Sequence, residues 1–118
     1  MKKIILYSYL KCSTCRKAAK WLKSKDFEFQ LIDIAKEPPL VNFLNLALEQ
    51  YSDDKKRIFN TRGQAFKMLN LDIYGLSSED ITKLLLTDGK LIKRPFLVYE
   101  WKKVILGFNE IEYAKQFL

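Results

Sequence analysis

Cys12 and Cys15 are the only cysteines of the chain and stand three apart, in Cys12-Ser13-Thr14-Cys15. A thiolate, not a thiol, attacks a disulfide or an oxidised substrate. A free cysteine, with a pKa of about 8.5, is mostly protonated at neutral pH. At the start of a helix, unpaired backbone N–H groups and the positive end of the helix dipole favour the anion. The sequence places Cys12 just before a predicted helix and Cys15 in its first turn. Cys12 is therefore expected to be the exposed nucleophile. Cys15, one turn on and less accessible, is expected to be the resolving thiol. Lys11, Arg16 and Lys17 are expected to lower the energy of the thiolate further.

Other uses of the pair are narrower. A closed zinc site needs four ligands, and the chain has no histidine and no third cysteine. Zinc shared between two copies, or two cysteines that merely pack, remain alternatives, and no metal site is expected within one chain. The absence of histidine excludes Cys-His and Ser-His hydrolases. The four glycines are not grouped into a phosphate-binding loop. Bridging residues so close together would close only a tiny loop and add little stability. The pair reads as chemistry in a reducing compartment, which points to the cytoplasm. The start, Met1-Lys2-Lys3-Ile4-Ile5-Leu6-Tyr7, breaks at Ser8, too soon for a signal peptide. No stretch reaches the ~20 apolar residues of a membrane span.

The net charge is +7. Its densest cluster, Lys11, Arg16, Lys17, Lys20, Lys23 and Lys25, surrounds the cysteines. Two readings stand: a solvated basic helix face, or a surface that holds an anion or thiolate. No nucleic-acid recognition motif accompanies the charge.

The elements that must position the dithiol follow from periodicity. Lys3 to Tyr7 is a compact apolar run with strand character. From Thr14 the pattern turns helical, with Cys15, Ala18, Ala19 and Leu22 on one face and an end near Asp26. Phe27 to Ile34 alternates and predicts a second strand, giving a βαβ unit. Pro38-Pro39 marks a break. Leu40 to Glu49 and Gln64 to Asn70 are helix candidates, with a charged loop over Ser52 to Arg57. Ser77-Ser78-Glu79-Asp80 has the form of a capping box before Ile81 to Leu86, and Asp88-Gly89 ends that helix. Phe96 to Tyr99 and Lys103 to Leu106 predict a hairpin about Glu100 to Lys102. Asn109 caps a terminal helix carrying Ile111, Ala114, Phe117 and Leu118.

The 118 residues suit one domain. Its core is expected from residues 1–34 and 88–118, with a helical insertion over about 35–87. The fold class is α/β: a thioredoxin-like (glutaredoxin-like) four-stranded mixed sheet with flanking helices. In that arrangement Pro95, within Lys93-Arg94-Pro95-Phe96, would be a cis proline facing the dithiol, where an extended partner docks. The alternative is an ordinary trans residue entering a strand. With the cis form, Arg94 would turn its guanidinium fork to an oxyanion or the thiolate. Asn60-Thr61-Arg62-Gly63 alone reads as a loop before a helix.

Together, Cys12-Ser-Thr-Cys15-Arg-Lys-Ala, Phe59-Asn-Thr-Arg62-Gly and Leu91-Ile-Lys-Arg94-Pro95 resemble the arsenate reductase (ArsC)/Spx/MgsR family along essentially the whole chain. The resemblance implies a thioredoxin-like core with an inserted helical region. It implies that Cys12 matches the cysteine that attacks arsenate. Arg62 and Arg94 would match arginines that cradle the oxyanion, with Arg16 and Lys11 adding charge nearby. The Cys-x-x-Cys and Gly107-Phe108-Asn109-Glu110 are more similar to the Spx branch. Its members are transcriptional regulators that bind the C-terminal domain of the RNA polymerase α subunit and use the dithiol as a redox switch. The expected function is an arsenate-reductase-like thiol–disulfide oxidoreductase, and the alternative is a Spx-like regulator. The substrate would be a small oxyanion or a disulfide. No organic cofactor is implied, because the dithiol carries two electrons and an external thiol, such as thioredoxin or glutathione with glutaredoxin, can restore it. A monomer is expected.

Overall fold

The computed structural model describes residues 3–118, so the first two residues of the opening run lie outside it. Strand β1 (Ile4–Ser8) leads into helix α1 (Ser13–Ser24) and strand β2 (Gln30–Asp33). Helices α2 (Val41–Gln50), α3 (Gln64–Leu69) and α4 (Ser78–Thr87) follow, with short 3-10 turns at Lys55–Ile58, Ile73–Gly75 and Gly89–Leu91. Strands β3 (Phe96–Tyr99) and β4 (Lys103–Leu106) and helix α5 (Glu110–Phe117) complete the chain. The sheet order is β2-β1-β3-β4. β1 pairs parallel with β2 and antiparallel with β3, and β3 pairs antiparallel with β4.

Strand side chains alternate between two faces, and both faces are covered. Ile4, Leu6, Leu97 and Ile105 point to a layer with Ala18, Trp21 and Leu22 of α1 and Tyr113 and Phe117 of α5. Ile5, Tyr7, Phe96, Val98 and Val104 point the other way, to Phe43, Leu44, Ala47 and Leu48 of α2 and Ile81 and Leu85 of α4. The dithiol helix is thus anchored on one face, and α2 and α4 on the other.

Several expectations shift in detail. β2 is shorter than the alternating run, because Phe27 and Phe29 lie in the connection before it and pack under α1. The connection is set by the end of α1. The N–H of Phe27 bonds to Leu22 O at 3.0 Å and that of Asp26 to Lys23 O at 3.1 Å, a Schellman pattern with Asp26 at φ 59. The charged run at Lys55–Ile58 is a 3-10 turn instead of a loop, and it buries Ile58. Trp21, outside the expected α1 stripe, is buried and stacks against Phe27. The caps fall as expected: Ser77 Oγ accepts from Asp80 N–H and Asn109 Oδ1 from Glu112 N–H, each at 3.1 Å.

The β4 edge is closed by one side chain. Gln50, at the end of α2, donates from Nε2 to Val104 O at 2.8 Å and accepts from Val104 N–H at 2.8 Å. Its amide stands where a fifth strand would pair, which blunts an exposed edge. Gln50→Ala is expected to cost about 1–2 kcal/mol, because both Val104 groups lose their partner. The urea midpoint would show this, together with faster hydrogen exchange at the Val104 amide.

Candidate functional site

The dithiol sits where β1 hands over to α1. Cys12 N–H bonds to Tyr9 O at 2.9 Å, and extended backbone at Cys12 (φ −97, ψ 113) makes it the N-cap of α1. Its sulfur fills the capping role of a Ser or Asp oxygen, accepting the Cys15 N–H at 3.3 Å. Cys12 is half-buried, Cys15 is fully buried, and both are free thiols.

The two sulfurs differ electrostatically. Burial works against a Cys12 thiolate, but hydrogen bonds from the Cys15 thiol and N–H, and the hydrogen bond and charge of Arg94, outweigh it. The net effect holds Cys12 below an ordinary thiol. Burial pushes the Cys15 thiol up to about 12, helped by its hydrogen bond to Cys12 and the Cys12 charge. The Tyr9 backbone and Ser8 hydroxyl oppose that rise only in part.

Arg94 reaches this site from the segment just before β3, the strand that pairs with β1. The Arg94–Pro95 peptide is cis, one of the two alternatives left open by the sequence. Pro95 is buried and its carbonyl accepts Gly107 N–H at 2.9 Å. The Arg94 guanidinium carbon lies 4.6 Å from the Tyr9 ring centroid. Its Nη1 is buried and, among the described residues, has no hydrogen-bond partner.

The other basic residues take different places. Arg16 was expected to act on the thiolate, but its guanidinium donates to Leu10 O and braces the loop before Cys12. Lys11 and Lys17 are exposed. The leading cation at Cys12 is therefore Arg94, because it comes from the facing segment and is partly desolvated. Arg62 is exposed in the turn before α3. That turn is tied to the approach to Arg94: Phe59 bridges Ile92, Asn60 N–H bonds to Leu91 O at 2.8 Å, and Lys93 N–H bonds to Ile58 O at 2.7 Å. Among the described residues, no hydrogen bond or ion pair joins Lys11 or Arg62 to either sulfur.

Sequence reasoning missed Ser8 and Tyr9. Both precede the dithiol, but their contacts with Cys15 and Arg94 depend on the fold. An aromatic three residues before the first cysteine was the only available signal.

A four-stranded mixed sheet, a dithiol capping its first helix and a cis Arg-Pro before β3 define a thioredoxin-like dithiol protein. The ArsC family model matches residues 7–116, and the chain belongs to that family. It is 40% identical to the uncharacterized protein YusI of Bacillus subtilis, over 95% of this chain and 96% of that one. It is 35% identical to the regulatory protein MgsR of Bacillus subtilis, over 97% and 90% of the two chains. With the global transcriptional regulator Spx of Lactiplantibacillus plantarum it shares 34% identity, over 92% of this chain and 82% of that one. Among solved structures, a possible arsenate reductase from Streptococcus mutans superposes with a TM-score of 0.88 at 38% identity, covering 97% and 98% of the two chains. No helix among the described residues is long and apolar enough to cross a membrane.

Proposed function

We propose that the protein is a cytoplasmic, arsenate-reductase-like thiol–disulfide oxidoreductase, with Cys12 as nucleophile and Cys15 as resolving thiol. The observation that carries this reading is the environment of one sulfur. Cys12 Sγ caps α1, takes the Cys15 N–H at 3.3 Å, and is acted on by Arg94. Each contact favours the thiolate over the thiol.

With a disulfide substrate, the Cys12 thiolate attacks one sulfur. A Cys12–substrate disulfide forms, the substrate's own S–S bond breaks, and one substrate thiolate leaves and takes a proton. Cys15 then loses its proton and attacks Cys12 Sγ, releasing the second substrate thiol. The substrate gains two electrons and two protons, and the protein is left with a Cys12–Cys15 disulfide. Burial keeps Cys15 protonated at rest, with the Cys12 hydrogen bond and charge adding to that effect. Once Cys12 is bonded to substrate, its charge is gone, so Cys15 becomes easier to deprotonate when it is needed. An external thiol reductant, of the thioredoxin or glutathione/glutaredoxin class, returns two electrons. Arg94, with its unpartnered Nη1, receives an anionic group of the substrate. Arg62, Arg16 and Lys11 add positive charge on the approach, and the chain around Pro95 is the docking edge.

A redox titration in glutathione buffers, with the internal disulfide scored by mass, tests this reading. The disulfide should form and open reversibly near the cytosolic poise, roughly −220 to −320 mV. Glutathione adducts on Cys12 with no internal disulfide would remove the resolving role from Cys15.

A second reading is favoured by the names of MgsR and Spx, regulators that match more than nine-tenths of this chain. In it, the same dithiol switches binding to the C-terminal domain of the RNA polymerase α subunit. Redox-dependent retention of that domain, with no turnover of disulfides, would select this reading.

A further inference from the structure

Arg94 has an unusual setting for a cation that acts on a thiolate. Among the described residues it forms no ion pair with a carboxylate, and its buried Nη1 has no hydrogen-bond partner. A guanidinium so placed has a long, flexible stem and, apart from its interaction with Cys12, little polar contact to fix it. The other group that meets it is an aromatic face, the Tyr9 ring, at 4.6 Å from Cζ. A planar guanidinium stacks well on such a face, and the attraction strengthens where water is excluded. Tyr9 is itself fixed by the dithiol loop, because its carbonyl accepts the Cys12 N–H at 2.9 Å. The residue that orients the Cys12 backbone therefore also carries the cation that faces the Cys12 side chain.

We propose that Tyr9 is a positioning residue for the dithiol, its ring serving as a shelf that holds the Arg94 guanidinium beside the Cys12 sulfur. It acts through Arg94 and does not touch the reacting atoms. The idea rests on the site reading given above and extends it. The groups facing Cys12 are Cys15 from α1 and Arg94 from the β3 approach. Lys90, from the turn before β3, sits over the same Tyr9 ring at 6.0 Å. Lys11 and Arg16 flank the loop, exposed and, for Arg16, engaged by Leu10.

The test is the pH profile of Cys12 alkylation by iodoacetamide in the reduced protein, read at that residue by mass. Buried Cys15 reacts far more slowly. Tyr9→Leu keeps apolar volume but removes the π face. It should raise the midpoint of the profile and slow alkylation at neutral pH about two- to fivefold, the size of a partly exposed cation–π contact. Tyr9→Phe keeps the face and should restore the wild-type profile, which a role for the hydroxyl would not. Arg94→Ala should have at least as large an effect, and Tyr9→Leu should add nothing to it, as a double-mutant cycle requires of residues that act as a unit. An unchanged midpoint in Tyr9→Leu beside a raised one in Arg94→Ala overturns the Tyr9 role alone, as does full additivity. An unchanged midpoint in Arg94→Ala overturns the role of Arg94 and with it that of Tyr9. Thermal melts of each variant guard against misreading a folding defect as a loss of positioning.

Discussion

Replacing Cys12 by serine is expected to leave a folded protein with no disulfide chemistry. The reasoning has two halves, because Cys12 does two jobs. As the N-cap of α1 it supplies an acceptor for the Cys15 N–H, and serine is a better capping residue than cysteine. The helix should therefore be kept, with stability within about 1 kcal/mol of wild type or slightly higher. As a nucleophile, however, a serine hydroxyl has no base to activate it, since the chain contains no histidine. Reduction of a small disulfide by Cys12→Ser should fall on the order of a thousandfold or more. The remaining thiol, Cys15, is fully buried with its pKa pushed up to about 12, and so is badly placed to form the first covalent bond. Cys15→Ser should behave differently. It keeps the attacking sulfur but removes the second step, so a stable adduct at Cys12 should accumulate in place of product. The pair of measurements, turnover and adduct mass, checks the division of labour. A Cys12→Ser protein that still turns over would move the nucleophile to Cys15, against its full burial.

Much of this arrangement was legible along the chain. The position of Cys12 before α1 followed from the switch between a strand-like run and a helical period, and both are local signals. The hairpin around Glu100 was legible too, although its turn has no glycine and holds Glu100 and Trp101 at φ 54 and 60. What could not be read was anything set by layers. The alternation of Phe27, Phe29 and Leu31 suggested one buried strand face. In the fold, Phe27 and Phe29 pack under α1, while Leu31, on the edge strand β2, is 57% exposed. Ile34 instead enters the opposite core. A two-sided sheet gives both parities an apolar role, so a period-two pattern alone does not locate the strand's ends. The charge around the dithiol comes from both near and far along the chain. Lys11, Arg16 and Lys17 are near Cys12 in sequence, but the cation that acts on it lies 82 residues away, by the numbers of Cys12 and Arg94. The Lys93-Arg94-Pro95-Phe96 segment and the resemblance both pointed to Arg94, whereas its stacking on Tyr9 needed coordinates in space.

The largest loss of stability is expected at Gly89, a residue that sequence reasoning took only as a helix stop. It is buried in the 3-10 turn after α4, against the chain leaving β2. A Cβ at this position would lie 1.8 Å from Ile34 O and 2.7 Å from the Ile34 carbonyl carbon. Both are backbone atoms, so no side chain can swing aside. Ile34 is also held to β1, its N–H bonding to Ser8 O at 2.9 Å. Gly89→Ala must therefore push the turn off the sheet, and a cost above about 4 kcal/mol is expected, in the range reserved for lost packing of this kind. Gly63 is the internal comparison. Its added Cβ would also clash, at 2.6 Å, but with the Nδ2 end of the Asn60 side chain, which can rotate away. Gly63→Ala should cost no more than about 1 kcal/mol. Urea unfolding of the two variants decides between them, and equal midpoints would show that the Gly89 contact gives way. A functional effect should follow the structural one. The Gly89–Leu91 turn leads directly to the Arg94–Pro95 segment, and Ile92 N–H bonds back to Gly89 O at 3.2 Å. If Gly89→Ala folds at low temperature, its displaced turn should carry Arg94 away from Cys12. Its alkylation profile should then shift toward that of Arg94→Ala, linking the packing of the turn after α4 to the reactivity of the dithiol.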